Sequence, residues 1–154
     1  MSILTLDLGQ QTGWAILEGG VIESGSKSFH VSRFSGGGMQ FLNFSNWLNS
    51  LKQKFSNISV VYFEEVRRHL GTDAAHIYGG FLAHLTAWCE LCLIKVLLQK
   101  AFYHSNASKS AVIAAIKNKG FTPSDDNEAD SLALLFYAMN LNNNINNLSS
   151  LEAC

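Results

Sequence analysis

The first thirty residues constrain the fold most, because they contain three short strand-like segments separated by turn signals. Residues 3–8 form an apolar run, and residues 14–18 and 21–29 are two further strand candidates. Gly19–Gly20 separates the last two segments, and two residues of this kind are a β-hairpin signal. The sequence therefore predicts a three-stranded antiparallel meander at the start of the chain.

Alternating helix and strand patterns follow the meander. Apolar side chains recur at helical spacing from Met39 to Phe55, and residues 59–63 form a β-branched and aromatic run that predicts a buried strand. Three more helices are predicted: residues 73–93, Ser105 or Asn106 to Lys119, and Ser124 or Asp125 to about Asn140. This order is typical of an α/β domain with a mixed β-sheet.

The length of 154 residues suits one domain, and a charged fraction of 15% is too low for a disordered chain. We expect the domain to span residues 1–140 and the asparagine-rich tail, residues 141–154, to be disordered. No apolar run is long enough to cross a bilayer, and no basic stretch precedes the first apolar residues. These features, with three cysteines and no evident disulfide framework, favour a cytoplasmic protein.

The acidic residues are concentrated in a few places. Seven of the twelve acids are Asp7, the pair Glu64–Glu65 and the cluster at residues 125–130. The rest of the chain holds eleven Lys and Arg against five acids, a balance of +6. Such a distribution fits a protein that binds phosphates and holds a divalent metal, although acids also gather at the ends of strands and helices.

Three of these acidic positions could share one site. Asp7 and Glu64 each close a buried strand, where a carboxylate is unfavourable unless it is solvated, paired or bound to metal. On the last helix Asp130 shares a face with Asp126 or Asn127, at spacings of four and three residues. Such hard oxygen ligands suit Mg²⁺ or Mn²⁺. The alternative is helix capping for the cluster and an exposed strand end for Glu64.

Three segments resemble conserved blocks of the phage-type RuvC-like Holliday junction resolvases. They are LDLGQQTGWAI, VVYFEEVRRHLGTDAAHIYGGFLA and NASKSAVIAAIKNKGFTPSDDNEADSLALL, and together the similarity covers most of residues 1–138. The resemblance implies an RNase H-like fold and a metal-dependent endonuclease that cleaves Holliday junctions or other branched DNA with two Mg²⁺ or Mn²⁺ ions.

The resemblance also implies roles for individual residues. Asp7, Glu64 and Asp130 match the catalytic metal ligands, and the fourth ligand position falls on Asn127, with Asp126 beside it as a possible substitute. It further implies a homodimer that cuts two strands symmetrically.

Basic residues flank the proposed site. Arg67, Arg68 and His69 follow Glu64 closely and are expected to contact DNA phosphates, as is Lys109. The alternative for all four is a solvated surface without a ligand.

The similarity is lost over residues 91–105, which are more apolar than the family pattern. We therefore expect the family's fifth strand to be missing or rebuilt as helix. This divergence supports an alternative function, a catalytically impaired homologue that binds structured DNA without cleaving it. The run DLGQQTG also resembles a phosphate loop of sugar kinases and actin-like ATPases, but those proteins need two such domains and 154 residues are too few.

Overall fold

The computed structural model describes residues 2–65, 71–100 and 108–151, without the side chains of residues 98–100 and 143–151. Within these ranges the chain forms five strands and four helices. In chain order they are β1 (Ser2–Asp7), β2 (Gln11–Glu18), β3 (Val21–Ser28), α1 (Met39–Lys54), β4 (Ile58–Glu65), α2 (Thr72–Cys92), β5 (Lys95–Lys100), α3 (Lys109–Asn118) and α4 (Asp126–Leu151).

The strands form one mixed sheet in the order β3-β2-β1-β4-β5. The first three strands are antiparallel neighbours, as the meander prediction required, and β1, β4 and β5 run parallel. Gly19–Gly20 forms the β2–β3 turn with φ of 59° and 83°, a left-handed conformation that glycine adopts without strain. The predicted α/β class with a mixed sheet is confirmed.

A hydrophobic layer covers each face of the sheet, because side chains alternate between the two faces along a strand. On β1, Leu4 and Leu6 pack with the buried side chains of α1 and α2. On the same strand, Ile3 packs with the buried side chains of α3 and α4. The aromatic face predicted between residues 41 and 55 belongs to the first of these layers.

Two glycines of α2 behave differently, although both are unfavourable in a helix. A side chain at Gly80 would overlap the ring of Phe41 on α1, so this glycine allows the two helices to pack closely. A side chain at Gly79 would meet nothing. Leu91, near the end of the same helix, is 85% exposed and lies outside the core.

The expectation that the fifth strand is missing or helical is wrong. Residues Lys95–Lys100 form β5, which pairs in parallel with β4 over six positions from Val60↔Lys95 to Glu65↔Lys100. Helix α2 ends because Leu93 adopts a left-handed conformation with φ of 55°. The chain thereby reverses within two residues and returns to the sheet.

The last two helices also differ from the prediction at their ends. Helix α3 is capped by Ser108 rather than by Ser105 or Asn106, and the Ser108 side chain accepts a hydrogen bond from the backbone N–H of Ala111. Helix α4 continues to Leu151 instead of ending near Asn140. The division of the chain at residue 140 stays a prediction.

None of the helices in the described ranges combines the length and the apolar character that a membrane span requires.

Candidate active site

Asp7 and Glu64 lie side by side at the carboxyl ends of two parallel strands. The β1–β4 register pairs Leu6 with Phe63, so Asp7 and Glu64 are the next positions on the two strands. Both side chains are half-buried.

Strand alternation decides on which face of the sheet the two carboxylates lie. Thr5 on β1 contacts α4, and Tyr62 on β4 belongs to the hydrophobic layer under α3 and α4. Asp7 and Glu64 follow these residues by two positions, so both lie on the face that α4 covers.

The first turn of α4 is fixed over this edge of the sheet by close contacts. Gly13 on β2, which pairs with Asp7, packs against α4 so tightly that a side chain there would overlap the backbone carbonyl of Asn127. The buried Thr5 hydroxyl lies 2.8 Å from the carbonyl oxygen of Ser131 and 3.1 Å from that of Ala15. Its single proton can serve only one acceptor at a time, and the shorter distance favours Ser131.

Two of the acids in the α4 cluster are structural. Asp125 caps the helix, because its carboxylate accepts a 2.8 Å hydrogen bond from the backbone N–H of Glu128. Glu128 itself is buried and accepts hydrogen bonds from the Ser24 hydroxyl and from the backbone N–H and hydroxyl of Ser124. The capping alternative considered for this cluster is therefore correct for Asp125 and Glu128.

The other two acids of the cluster face the strand-end carboxylates. Burial raises the pKa of Asp130, and the neighbouring carboxylate of Asp126 acts in the same direction. Asp126 forms an ion pair with Lys109 at the start of α3, and the hydrogen bond from that ammonium lowers the pKa of Asp126. The Lys109 side chain is 76% exposed, so it lies at the rim of the site.

The four carboxylates form one electrostatically coupled group. Burial is the largest cause of a raised pKa for Asp7, which reaches about 7. The carboxylates of Asp130, Glu64 and Asp126 contribute in the same direction, and the ammonium of Lys109 opposes them. Burial and the Asp130 carboxylate likewise raise the pKa of Glu64. The fold thus brings together Asp7, Glu64 and Asp130 from three separate elements.

The fourth ligand position remains open between two residues. The side chain of Asn127 forms a hydrogen bond with Asp125. Burial opposes ionisation of Asp125, but this bond and several others outweigh it and lower the pKa of Asp125. Asp126, by contrast, interacts with both Asp7 and Asp130.

The carboxylate oxygens of this cluster are of the kind that binds divalent cations, but they are not arranged around a single point as the ligands of one ion. Within the described ranges, no three His, Cys, Asp or Glu side chains are arranged to hold one ion. Clustered carboxylates with raised pKa values are nevertheless groups whose mutual repulsion a divalent cation relieves.

One contact at the site was not foreseen from the sequence. The hydroxyl of Tyr78 on α2 donates a 2.9 Å hydrogen bond to the backbone carbonyl of Glu64, which anchors the end of β4. No spacing rule links a helical tyrosine to a strand end fourteen residues earlier, so only the tertiary structure reveals this contact. Arg67, Arg68 and His69, the expected DNA contacts, lie outside the described residues.

No protein-family model and no curated protein sequence matches the chain. Solved structures do match. The Thermus thermophilus RuvC in complex with a Holliday junction substrate has a TM-score of 0.73 at 16% identity, over 90% of this chain and 95% of that chain. A second Thermus thermophilus RuvC structure has a TM-score of 0.65 at 18% identity, over 90% and 96% of the two chains.

The crystal structure of the yeast mitochondrial Holliday junction resolvase has a TM-score of 0.54 at 15% identity, over 84% of this chain and 75% of that chain. At identities this low the similarity establishes the architecture. The chain has the fold of the RuvC Holliday junction resolvases.

Proposed function

We propose that this protein is a divalent-metal-dependent endonuclease that hydrolyses phosphodiester bonds in Holliday junctions or other branched DNA. One observation carries the proposal: the carboxylates of Asp7, Glu64 and Asp130, which are far apart in the sequence, are coupled at one edge of the sheet. The RuvC fold supports the same function, since two of the similar structures are named as junction resolvases or hold a junction substrate.

A purely structural role does not account for this cluster. Burying carboxylates beside one another is unfavourable. The raised pKa of Asp7 expresses this cost, because the surroundings of Asp7 disfavour its ionised form. Helix capping explains Asp125 and Glu128 but gives no reason for Asp7, Glu64 and Asp130 to converge. Groups kept in an unfavourable arrangement are candidates for a functional site.

The residues that would hold the metal are Asp7, Glu64 and Asp130, with Asp126 or Asn127 as the fourth. When bound, Mg²⁺ or Mn²⁺ supplies Lewis acidity toward the phosphodiester and toward its attacking water. Asp7 is the most deeply buried of these groups, so its carboxylate would hold the metal at the inner side of the site.

The remaining residues of the site position these groups or the DNA. The Gly13–Asn127 contact and the Thr5 hydroxyl fix α4 over β1, and the Tyr78 hydroxyl fixes the backbone of Glu64. Lys109 carries its ammonium at the exposed rim, where it can bind a DNA phosphate once the Asp126 carboxylate is engaged elsewhere. Arg67, Arg68 and His69 are proposed to contact phosphates on the β4 side.

The proposal includes a homodimer, because two strands of a four-way junction must be cut symmetrically and each chain offers one carboxylate cluster.

Cleavage of a labelled four-way junction tests the proposal. We expect the purified protein to nick the junction in Mg²⁺ or Mn²⁺ and to be inactive in EDTA. Asp7→Asn, which keeps the shape of the side chain, should reduce cleavage by at least about 100-fold because a metal ligand is lost. Glu90→Gln is the matched control, because Glu90 is exposed near the carboxyl end of α2. This variant should cleave the junction like the wild type. Equal cleavage by Asp7→Asn and Glu90→Gln would refute the assignment.

A DNA-binding protein without nuclease activity is the second candidate. Two observations favour it: an amide rather than a carboxylate stands at position 127, and the carboxylates are not assembled as a ligand sphere. Junction binding without cleavage in either metal would support this candidate over the nuclease.

A further inference from the structure

The segment between the meander and β4 has a charge pattern that the carboxylate site does not explain. From Ser24 to Phe63 the sequence contains no Asp or Glu, but it contains Lys27, Arg33, Lys52 and Lys54. Lys54 pairs with Glu23, which lies just before this segment. A stretch of forty residues without an acid gives this part of the surface a positive potential in a chain whose net charge is −1.

A polar cleft lies within the same segment, between the end of β3 and the outer face of α1. It has a volume of about 410 Å³. The exposed side chains around it carry an ammonium, two amides and two hydroxyls, and the half-buried Trp47 lies at its wall. Its lining includes Lys27, Ser28, Asn43, Asn46, Trp47 and Ser50.

The cleft lies at the same end of the sheet as the carboxylates, because β3 ends beside the end of β1, but on the opposite face, which α1 covers. Ser28 pairs with Gln11 at the start of β2, and the backbone N–H of Phe29 donates to the carbonyl of Gln10. The side chain of Gln10 also donates a 2.9 Å hydrogen bond to that of Gln40 in the first turn of α1. Gln10 follows Asp7 by three residues, a span of at most about 11 Å.

The loop that joins β3 to α1 carries an exposed aromatic residue beside a cation. Phe34 is 85% exposed, and the guanidinium of Arg33 lies 4.8 Å from its ring centroid. An exposed aromatic ring next to an arginine offers a surface on which a nucleobase can stack.

Resting on the proposed function, we propose that this β3–α1 face, defined as Lys27, Arg33, Phe34, Asn43 and Asn46, binds a DNA strand that leaves the carboxylate site. The cleft holds the sugar–phosphate backbone of that strand, and Phe34 stacks on one of its bases. Amides, hydroxyls and an ammonium are the donors that phosphate oxygens accept from, and the aromatic ring contacts any base without selecting its sequence. A branch point supplies unstacked bases within reach of such a ring.

Binding of a fluorescent four-way junction by the full chain tests this inference. We would use Asp7→Asn as the parent, so that the DNA stays intact, and measure anisotropy at several NaCl concentrations. Lys27→Ala should weaken binding several-fold and lower the slope of log K against log salt by about 0.9, the value of one phosphate contact. Phe34→Ala should weaken binding about 5- to 100-fold and leave the salt slope unchanged.

Two control variants match these substitutions. Leu91→Ala removes an apolar side chain that is 85% exposed, as Phe34 is, at the far end of α2. Lys95→Ala removes an exposed ammonium at the start of β5, on the opposite edge of the sheet from Asp7. Both should bind within twofold of the parent. Because all four side chains are exposed, none of the substitutions removes core packing, and thermal melts would verify this.

The outcomes separate this inference from the function on which it rests. If the parent binds the junction and both Lys27→Ala and Phe34→Ala bind equally well, the β3–α1 face is not a DNA surface, while the nuclease proposal stands. If the parent binds no junction at all, both proposals fail. Losses that the Leu91 and Lys95 variants share would also overturn the inference, because they would not be specific to this face.

Discussion

At the scale of single residues, the four acids around the start of α4 have two different roles, which depend on the direction in which each side chain points. Asp125 and Glu128 hold the start of the helix, whereas Asp126 and Asp130 interact with Asp7. Nearness to a helix start does not divide these four acids, since each lies within one or two turns of it. The four-residue spacing of Asp126 and Asp130 and the family resemblance are what single out this pair. The division depends on which side chain faces the sheet, and this is known only once α4 is placed on β1.

The different roles of these acids predict opposite effects on stability and on Mg²⁺ binding when Asp125 or Asp130 is replaced. Asp125→Ala should lower the stability of the protein by about 1 kcal/mol because the cap is lost, while the rise in melting temperature on adding Mg²⁺ is retained. Asp130→Asn should leave stability in EDTA unchanged or higher, and the rise with Mg²⁺ should disappear. Thermal melts of both variants with and without Mg²⁺ check this. A normal Mg²⁺ response in Asp130→Asn would contradict the assignment.

Asp7 predicts a pH dependence of stability. Its pKa is about 7 in the folded protein against an ordinary 3.8, so the folded state binds its proton more tightly than the unfolded state does. Stability therefore falls as the pH rises from about 4 to about 7. Asp7→Asn removes this loss, so in EDTA it should be as stable as the wild type near pH 4 and more stable at pH 8, by up to about 4 kcal/mol.

Urea denaturation at both pH values measures this difference. Glu90→Gln, which makes the same chemical change at an exposed position of α2, is the control. If Asp7→Asn changed stability by the same amount at pH 4 and pH 8, Asp7 would not have the raised pKa on which this prediction depends.

At the scale of elements, the sequence was informative where local pattern and tertiary structure agree. The Gly19–Gly20 turn, the apolar β1 and the periodic α1 lie close to their predicted positions. β5 was missed because a short apolar run does not distinguish a strand from a helix, and because a left-handed Leu93 rather than a glycine ends α2. The apolar pattern placed Asp7 and Glu64 at the ends of buried strands, whereas only the resemblance placed Asp130 beside them, because no local pattern positions α4 on the sheet.

The close contact between β2 and α4 predicts the effect of a single methyl group. Gly13→Ala should destabilise the protein by at least about 2 kcal/mol, because the methyl group overlaps the backbone carbonyl of Asn127 and backbone cannot rotate away. It should also weaken Mg²⁺ binding, since displacing the first turn of α4 moves Asp130 away from Asp7. Urea denaturation and Mg²⁺ titration give the two values.

Gly79→Ala is the control for this substitution. Nothing lies near the added methyl group, so the variant should be more stable than the wild type by about 0.5–1 kcal/mol, the helix preference of alanine over glycine. A Gly13→Ala variant as stable as Gly79→Ala would show that the β2–α4 contact is looser than described.

At the scale of the whole molecule, the charges are divided between two regions at the same end of the sheet. The carboxylate cluster is negative and repels DNA, whereas the β3–α1 face and the residues after β4 are basic. On the proposed function, a bound divalent cation would make the first region attractive to phosphates. The net charge of −1 therefore does not argue against DNA binding.

This arrangement predicts how DNA affinity responds to metal. In EDTA at pH 8, where Asp7 is mostly ionised, Asp7→Asn and Asp130→Asn should bind a four-way junction several-fold more tightly than the wild type, because each removes a negative charge beside the phosphates. Adding Ca²⁺ should tighten binding by the wild type more than by either variant. Electrophoretic mobility shifts at constant ionic strength measure both effects. Weaker binding by these variants in EDTA would place the DNA away from the cluster.

A crystal structure of the wild type soaked in Mn²⁺, with anomalous diffraction data, tests the convergence of the three carboxylates most directly. We expect anomalous density within coordination distance of oxygen atoms from Asp7, Glu64 and Asp130 together. Mn²⁺ bound only elsewhere, or an Asp130 carboxylate pointing away from the two strand ends, would contradict the assignment of this cluster as a metal-dependent active site.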